Sequence, residues 1–410
     1  MKRTLQEKLA ILSDAAKYDA SCASSGTTRR DSRAGGVGSA GGSGICHAYT
    51  PDGRCISLLK ILMTNFCIYD CVYCVNRVSS RVERARFTPE EVVTLTLEFY
   101  RRNYIEGLFL SSGIIRSPDD TMTDMVRIAR MLREEHGFKG YIHLKTIPEA
   151  APELITEAGR YADRLSINVE LPKDDSVARL APQKQPKGIR AAMSHVRETR
   201  AASKVASHRG KRPARFAPAG QSTQMIVGAD GTSDRDILGT STRLYQGYKL
   251  KRVYYSAFSP IPDSSAMLPL IRPPLIREHR LYQADWLMRF YGFDAAEITS
   301  STKGGNLDLE IDPKLAWALE HRAQFPVDVA RAPRELLLRI PGFGTRTVQR
   351  ILAARRSGPL RYADLIRIGA RVKQAEPFIT LPDWSPGALT DSAGLRARYA
   401  PPPEQLSLFA

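Results

Sequence analysis

Residues 67 to 74 read Cys-Ile-Tyr-Asp-Cys-Val-Tyr-Cys. Cys67, Cys71 and Cys74 thus stand in a C-x3-C-x2-C spacing. On one loop, three thiolates so spaced can wrap one face of an iron–sulfur cubane, because soft sulfur ligands suit such clusters. Three ligands leave one iron of a cubane without a protein ligand, so something else must bind there. Zinc is the other metal that such thiolates take, and it too needs a fourth ligand. The loop has no histidine or further cysteine to supply one, and a distant residue such as His143 would have to be recruited. The remaining cysteines, Cys22, Cys46 and Cys55, also lie in the first fifth of the chain. A disulfide framework would spread across the fold, so this clustering reads as a metal site. Cys46 and Cys55 are too few to hold a second cluster, and Cys55 suits a buried strand.

A strand must feed this loop. Cys55 to Thr64 is a nearly continuous apolar run, the pattern of a strand buried on both faces. Further strands are predicted at Gly107–Ser111, Gly140–Lys145, Arg164–Val169, Gln224–Val227 and Lys251–Tyr255. Helices are predicted between them at Thr88–Asn103, Asp119–Glu135, Pro152–Ala158, Ile189–Ala206 and Asp234–Tyr245. Such alternation gives an α/β fold with a parallel sheet, helices outside it and functional residues at the C-terminal ends of strands. Ahead of the sheet, residues 1–44 read as a short helix and a flexible Ser/Gly/Arg-rich segment. Residues 45–262 form the β/α body and 263–326 a helical extension. A compact basic region covers 327–382, and a Pro/Gly-rich flexible tail covers 383–410.

The formal charge of the 410-residue chain is +17, which favours polyanions and nucleic acid above all. No apolar run reaches the ~20 residues of a membrane span. Met1 to Lys17 has no secretion-type apolar core, so the expected location is the cytoplasm.

The cysteine loop, set after the first strand of a β/α series, resembles that of the radical S-adenosylmethionine superfamily. The resemblance implies a partial (β/α)6, TIM-like barrel. It also implies a [4Fe–4S] cluster on Cys67, Cys71 and Cys74, with S-adenosylmethionine chelated to the open iron. One electron from a reductant such as flavodoxin or ferredoxin would then cleave the sulfonium and release a 5′-deoxyadenosyl radical that takes hydrogen from the substrate. Tyr73 matches the aromatic position beside the adenine. Where the family has a Gly-Gly-Glu-like turn, this chain has Ser111-Ser112-Gly113, which lacks the carboxylate. Asn168 and Glu170, on one face by period two, match positions facing the ribose or the methionine end. A buried ion pair between Glu170 and Lys145 is the structural alternative. Gly228 ends the strand that resembles the adenine-contacting one and would permit close backbone approach.

Two C-terminal features point to DNA. Leu336 to Ala353 places Pro341-Gly342-Phe343-Gly344 between two helices and resembles the helix-hairpin-helix motif of DNA repair proteins. The match implies a small all-α domain in which Gly342 and Gly344 let backbone N–H groups approach a phosphate, with Arg346 and Arg350 adding charge. Tight packing between helices is the bland alternative. Gln405, Leu406, Leu408 and Phe409 form a Gln-Leu-Ser-Leu-Phe peptide that resembles the one by which bacterial replication and repair proteins dock on the sliding clamp. A further basic stretch, Arg197 to Arg215, could track a phosphate backbone. The whole chain resembles bacterial radical S-adenosylmethionine proteins assigned to DNA modification or repair. The expected function is therefore radical chemistry on DNA, on a base that is flipped out or unpaired. A radical enzyme acting on RNA, or a non-catalytic iron–sulfur protein that binds DNA, are the rival readings.

Overall fold

The computed structural model describes residues 3–16, 45–49, 55–208, 216–261, 265–300 and 302–400. The chain divides into two compact units. The first takes Met1–Thr232 and Thr240–Pro274; the second takes Ser233–Gly239 and Leu275–Ala410.

Unit 1 opens with helix α1 (Leu5–Ala15), started by a capping box between Thr4 and Glu7. Its seven-stranded sheet runs in sequence order: β1 (Ile45–Tyr49), β2 (Cys55–Leu62), β3 (Gly107–Ser111), β4 (Tyr141–Lys145), β5 (Arg164–Ser166), β6 (Gly220–Val227) and β7 (Arg252–Ala257). β1 is an antiparallel edge on β2, while β2 to β7 are parallel throughout. This is an α/β fold with a curled half-barrel sheet. The helices between strands are α2 (Pro89–Arg101), α3 (Pro118–Arg130), α4 (Pro152–Tyr161), α5 (Asp174–Leu180), α6 (Pro186–His208) and α7 (Asp234–Tyr248). Thr88 and Ser117 cap α2 and α3, each followed by proline at the first helical position, where its missing N–H costs nothing.

Three departures from the sequence pattern matter. β1 and α5 were not anticipated, because each is a short segment without a full period of its own. β5 stops at Ser166 rather than Val169, since the chain leaves the ladder there and rejoins it only at a bridge from Glu170 to Met225. Cys46 is buried with Ile56, Leu58 and Phe109, while Cys55, expected to be buried, is exposed because it begins β2 at the end of the strand away from the cysteine loop.

Unit 2 contains α8 (Leu275–Phe290), α9 (Ala295–Thr299), α10 (Pro313–Glu320), α11 (Arg334–Arg339), α12 (Thr345–Ala354), α13 (Tyr362–Arg367) and α14 (Val372–Ala375). A two-stranded ladder joins β8 (Val327–Asp328) to β9 (Ile379–Thr380), so the C-terminal region is not all-α as expected. Its core centres on Trp317, edge-on to Phe293 at 5.3 Å, with the Arg339 guanidinium 4.9 Å from its ring centre. The expected boundary at residue 262 therefore falls later, after Pro274, and the helical extension and basic region form one unit. Residues 383–400 are not a free tail: Thr390 and Leu395 are buried and Arg396 pairs with Asp308 and Glu310, closing this segment onto the unit. The Ser/Gly/Arg-rich segment, Cys22 and the clamp-type peptide from Gln405 to Phe409 lie outside the described residues.

Candidate functional site

The cysteine loop leaves the C-terminal end of β2 and is closed at its base. Thr64 bridges Arg86, the Thr64 hydroxyl donates to the Ala85 carbonyl at 2.9 Å, and the Asn65 amide donates to the Glu83 carbonyl at 2.7 Å. One guanidinium gathers the backbone: Arg84 donates to the carbonyls of Asn65, Asn76, Arg77 and Ser80. Five donors in a rigid fork allow one side chain to satisfy several turn carbonyls at once. The loop is tied to its neighbours by Ile68 N–H to the Ile114 carbonyl (2.9 Å) and Val72 N–H to the Leu180 carbonyl (2.7 Å). Leu180 belongs to α5, so this unanticipated helix is a wall of the site. Leu171, Val177, Leu180, Ala229, Phe258 and Leu268 form an apolar cluster around Cys71, with Tyr73 and Cys74 against it.

Burial pushes the Cys71 thiol up to about 12 and the Cys74 thiol up to about 11. Thiols in such a place keep their protons until a metal cation displaces them, the usual coupling of deprotonation to metal binding. The donor set fits the cluster that the motif calls for: three thiols on one short loop, in an apolar surround, with buried charges beside them. Among the described residues no three His, Cys, Asp or Glu side chains form a cage for a single ion. His143 is buried in β4, edge-on to Phe109 at 4.5 Å.

The other predicted residues divide. Asn168 and Glu170 are both buried at the end of β5. The Asn168 amide donates to Gln224 Oε1 at 3.4 Å, and Glu170 forms an ion pair with Lys184. Glu170 holds a left-handed backbone (φ 64°), unusual for a residue with a side chain and typical of sites where function fixes geometry. Its placement thus comes from a turn rather than from strand alternation. The Tyr73 hydroxyl is buried beside the Cys71 thiol, and burial holds it well above the ordinary phenol range. Ser111 is buried and its carbonyl accepts from Met63 N–H, while the Ser112 hydroxyl donates to the Gly113 carbonyl at 2.6 Å. Gly113 is required by the protein itself: a Cβ there would meet the Phe66 carbonyl at 2.2 Å. The same is true of Gly228, whose close neighbour is Pro273, 2.8 Å from where a Cβ would stand.

Two charged residues escaped sequence reasoning. Burial opposes the Lys184 charge, but Glu170 and Cys71 beside it hold the ammonium protonated well above the usual lysine range. Both carboxylate oxygens of Glu149 are buried beside the backbone N–H groups of Glu149 and Gln185, and burial raises that carboxyl. Lys184, Glu170 and Glu149 interact electrostatically with one another, and Lys184 and Tyr69 also with Cys71. No spacing rule marks them, because Glu149 and Lys184 sit in irregular segments after β4 and before α6.

In unit 2, the turn between α11 and α12 closes with Phe343 N–H donating to the Ile340 carbonyl at 3.2 Å. Gly342 is left-handed (φ 82°), and a Cβ would meet the Arg371 carbonyl at 2.8 Å. Gly344 caps α12 with φ −95° and needs no such freedom. From beneath, Lys314 Nζ donates to the Phe343 carbonyl at 2.6 Å and lies 4.8 Å from the Tyr291 ring centre. Burial lowers this lysine to about 7. Arg346 is exposed, whereas exposed Arg350 also donates to the Ile368 carbonyl at 2.8 Å. In the other basic stretch, Arg197 donates to the Gly247 carbonyl and Arg200 to those of Ala217 and Pro218, so both brace the fold. Arg209, Lys211, Arg212 and Arg215 lie outside the described residues.

Residues 61–242 match the family model described as the Radical SAM superfamily. No curated protein matches the chain. Similar solved structures include the FeFe-hydrogenase maturase HydG from Carboxydothermus hydrogenoformans, at 14% identity and TM-score 0.43, covering 55% of this chain and 50% of that one. Methylornithine synthase PylB is similar at 14% identity and TM-score 0.43, covering 56% and 60%. The cobalamin-dependent S-adenosylmethionine radical enzyme OxsB is similar at 9% identity and TM-score 0.33, covering 76% and 51%. The chain spans 48% to 60% of the length of the structures first matched. Among the described residues no helix is long and apolar enough to cross a membrane.

Proposed function

We infer that this chain, whose residues 61–242 match the Radical SAM superfamily model, is an enzyme of that superfamily and that its radical chemistry acts on DNA, in repair or base modification. Enzymes of this superfamily use a [4Fe–4S] cluster and S-adenosylmethionine, which together supply the radical. Cys67, Cys71 and Cys74 would hold the cluster. Glu149 and Glu170, two buried carboxylates next to the loop, offer acceptors for the amino group of the bound cofactor. Glu149 thereby takes the part for which Ser111-Ser112-Gly113 has no carboxylate, and Tyr73 and Asn168 remain the candidates for its adenosine end. Lys184 keeps the added negative charge balanced.

The observation that carries the DNA reading is the turn of unit 2. Left-handed Gly342 shapes a helix–turn–helix whose second helix, α12, starts at Gly344 with no side-chain cap, beside exposed Arg346. That is a helix-hairpin-helix suited to a phosphate, and the chain's charge of +17 agrees with it. The Gln405 to Phe409 peptide would tether the enzyme to the sliding clamp, and flavodoxin or ferredoxin would serve as reductant.

The test is anaerobic reconstitution with reductant and S-adenosylmethionine, measuring 5′-deoxyadenosine with duplex DNA, single-stranded DNA and structured RNA. DNA should raise the yield, and Arg346→Ala should weaken DNA binding at every sequence and lower the salt slope by about 1. Stimulation by RNA alone would transfer the activity to RNA. Protein that takes up zinc and forms no cubane would end the enzymatic account.

A further inference from the structure

Directly after β6, the segment Ala229-Asp230-Gly231 forms one side of a recess of about 430 Å³, closed by Arg179, Met267 and Pro269. That volume lies in the ordinary range of small-molecule sites. The recess shares an end of the sheet with the cysteine loop: Arg179 is the neighbour of Leu180, whose carbonyl accepts from Val72, and Ala229 belongs to the apolar cluster around Cys71.

Asp230 uses one oxygen locally, Oδ1 accepting from Thr232 N–H at 3.0 Å. Its other oxygen, Oδ2, is buried and has no hydrogen-bond partner among the described residues. A buried carboxylate oxygen left unsatisfied is costly and asks for a donor from outside the chain. At Gly231 the position of a Cβ is open, with no atom within 4 Å.

The rim is unusual in the opposite sense. Leu270 is 85% exposed, Ile271 82% and Met267 52%. The segment that bears them is pinned on both sides, by buried Leu268 within the apolar cluster and by Pro273 against Gly228. Pro269, Pro273 and Pro274 restrict it further, so the tip is presented rather than loose. Arg272 and Arg179 flank it, both exposed. An apolar tip between cations suits a polyanion whose interior is apolar, which is stacked nucleic acid. Apolar side chains driven between base steps are a known means of unstacking a duplex.

We propose that the recess receives a nucleobase extruded from DNA, its N–H edge set against the Asp230 carboxylate that lines the recess, while Leu270 and Ile271 fill the gap left in the stack. This rests on DNA being the substrate. Arg179 and Arg272 contact the flanking phosphates. The carboxylate selects an edge with a donor, and the small residues Ala229 and Gly231 leave room for a flat ring.

The experiment uses the full-length, reconstituted protein and a duplex with a single 2-aminopurine, whose fluorescence is quenched when stacked and restored on extrusion. Wild type should raise the emission. The double variant Leu270→Asp and Ile271→Asp, at side chains that support little of the fold, should abolish the rise. It should also bind roughly tenfold more weakly, the size expected for lost contacts of this kind. Gly231→Leu, which fills the recess without a steric conflict at Cβ, should abolish the rise while leaving the duplex bound; iron content and circular dichroism verify its fold. Full emission with both variants would overturn the proposal. So would Asp230→Ala protein that extrudes the base normally but binds S-adenosylmethionine more weakly in equilibrium dialysis, since the recess would then belong to the cofactor. Wild type that binds neither duplex nor single-stranded DNA would instead remove the DNA reading itself, and this proposal with it.

Discussion

The cysteine loop of unit 1 and the glycine turn of unit 2 solve one backbone problem in the same way, yet present opposite surfaces. Each is an irregular turn braced from behind by one basic side chain: Arg84 donates to four carbonyls of the loop and Lys314 to the Phe343 carbonyl of the turn. In front of the loop, charges are buried and matched, Glu170 against Lys184. In front of the turn stand exposed Arg346 and a helix start without a side-chain cap. Chemistry on a cluster needs a dry, balanced enclosure, because an unmatched charge there is expensive. A grip on phosphate needs cations left unmatched until the ligand arrives. The two regions thus differ in charge pairing rather than in backbone form, which is the difference that the proposed cluster chemistry and the proposed phosphate grip would each require.

The largest test of this contrast is removal of a ligand. Cys71→Ala should abolish the cubane absorbance and 5′-deoxyadenosine formation while leaving DNA affinity at the wild-type level, as read by an electrophoretic mobility assay. Loss of both would mean that the two regions are not separable. Next, Lys184→Met strands Glu170 in a buried place and should cost about 3–5 kcal/mol of stability, measured by urea unfolding, with a parallel fall in iron content. A cost below 1 kcal/mol would show that Glu170 escapes to solvent and that the pair is not needed.

On the other side of the comparison, Gly342→Ala forces a side chain into a left-handed backbone against the Arg371 carbonyl. It should destabilise unit 2 by about 1–3 kcal/mol. All three tryptophans, Trp286, Trp317 and Trp384, lie in this unit, so their fluorescence reports its melting separately. An unchanged melting curve would refute the assigned turn. The smallest effect concerns pH. Lys314, at about 7 in the fold, lies below the ~10.4 of a free lysine, so between these values the unfolded chain holds a proton that the fold does not. The burial cost is full below about pH 7 and is relieved as pH rises toward ~10, so unit 2 should gain stability across that window. Lys314→Met should flatten the slope of tryptophan melting temperature against pH. A slope that survives the substitution must come from another group.

The order of strands and helices was readable because each buried strand is an apolar run and each amphipathic helix repeats its apolar face. Gly107–Ser111 appears with the expected bounds, and Pro89–Arg101 falls within one turn of them. The end of β5 was misjudged because alternation continues past Ser166 in composition, whereas the backbone turns so that Asn168 and Glu170 face the site. Gly113 and Gly228 were expected to serve a cofactor. Their missing side chains make room for Phe66 and Pro273, atoms of the protein that no local pattern could reveal.

What the sequence determined alone is the reactive motif and the scaffold type, since cysteine spacing and apolar periodicity are local properties carried by neighbouring residues. What only the tertiary structure decided is the company those cysteines keep: Lys184 and Glu149 from irregular segments, Leu180 from a short helix, and Arg84 folded back across the loop. Partners far apart in sequence are chosen by packing and by the need to satisfy buried charge, and that choice leaves no period to read.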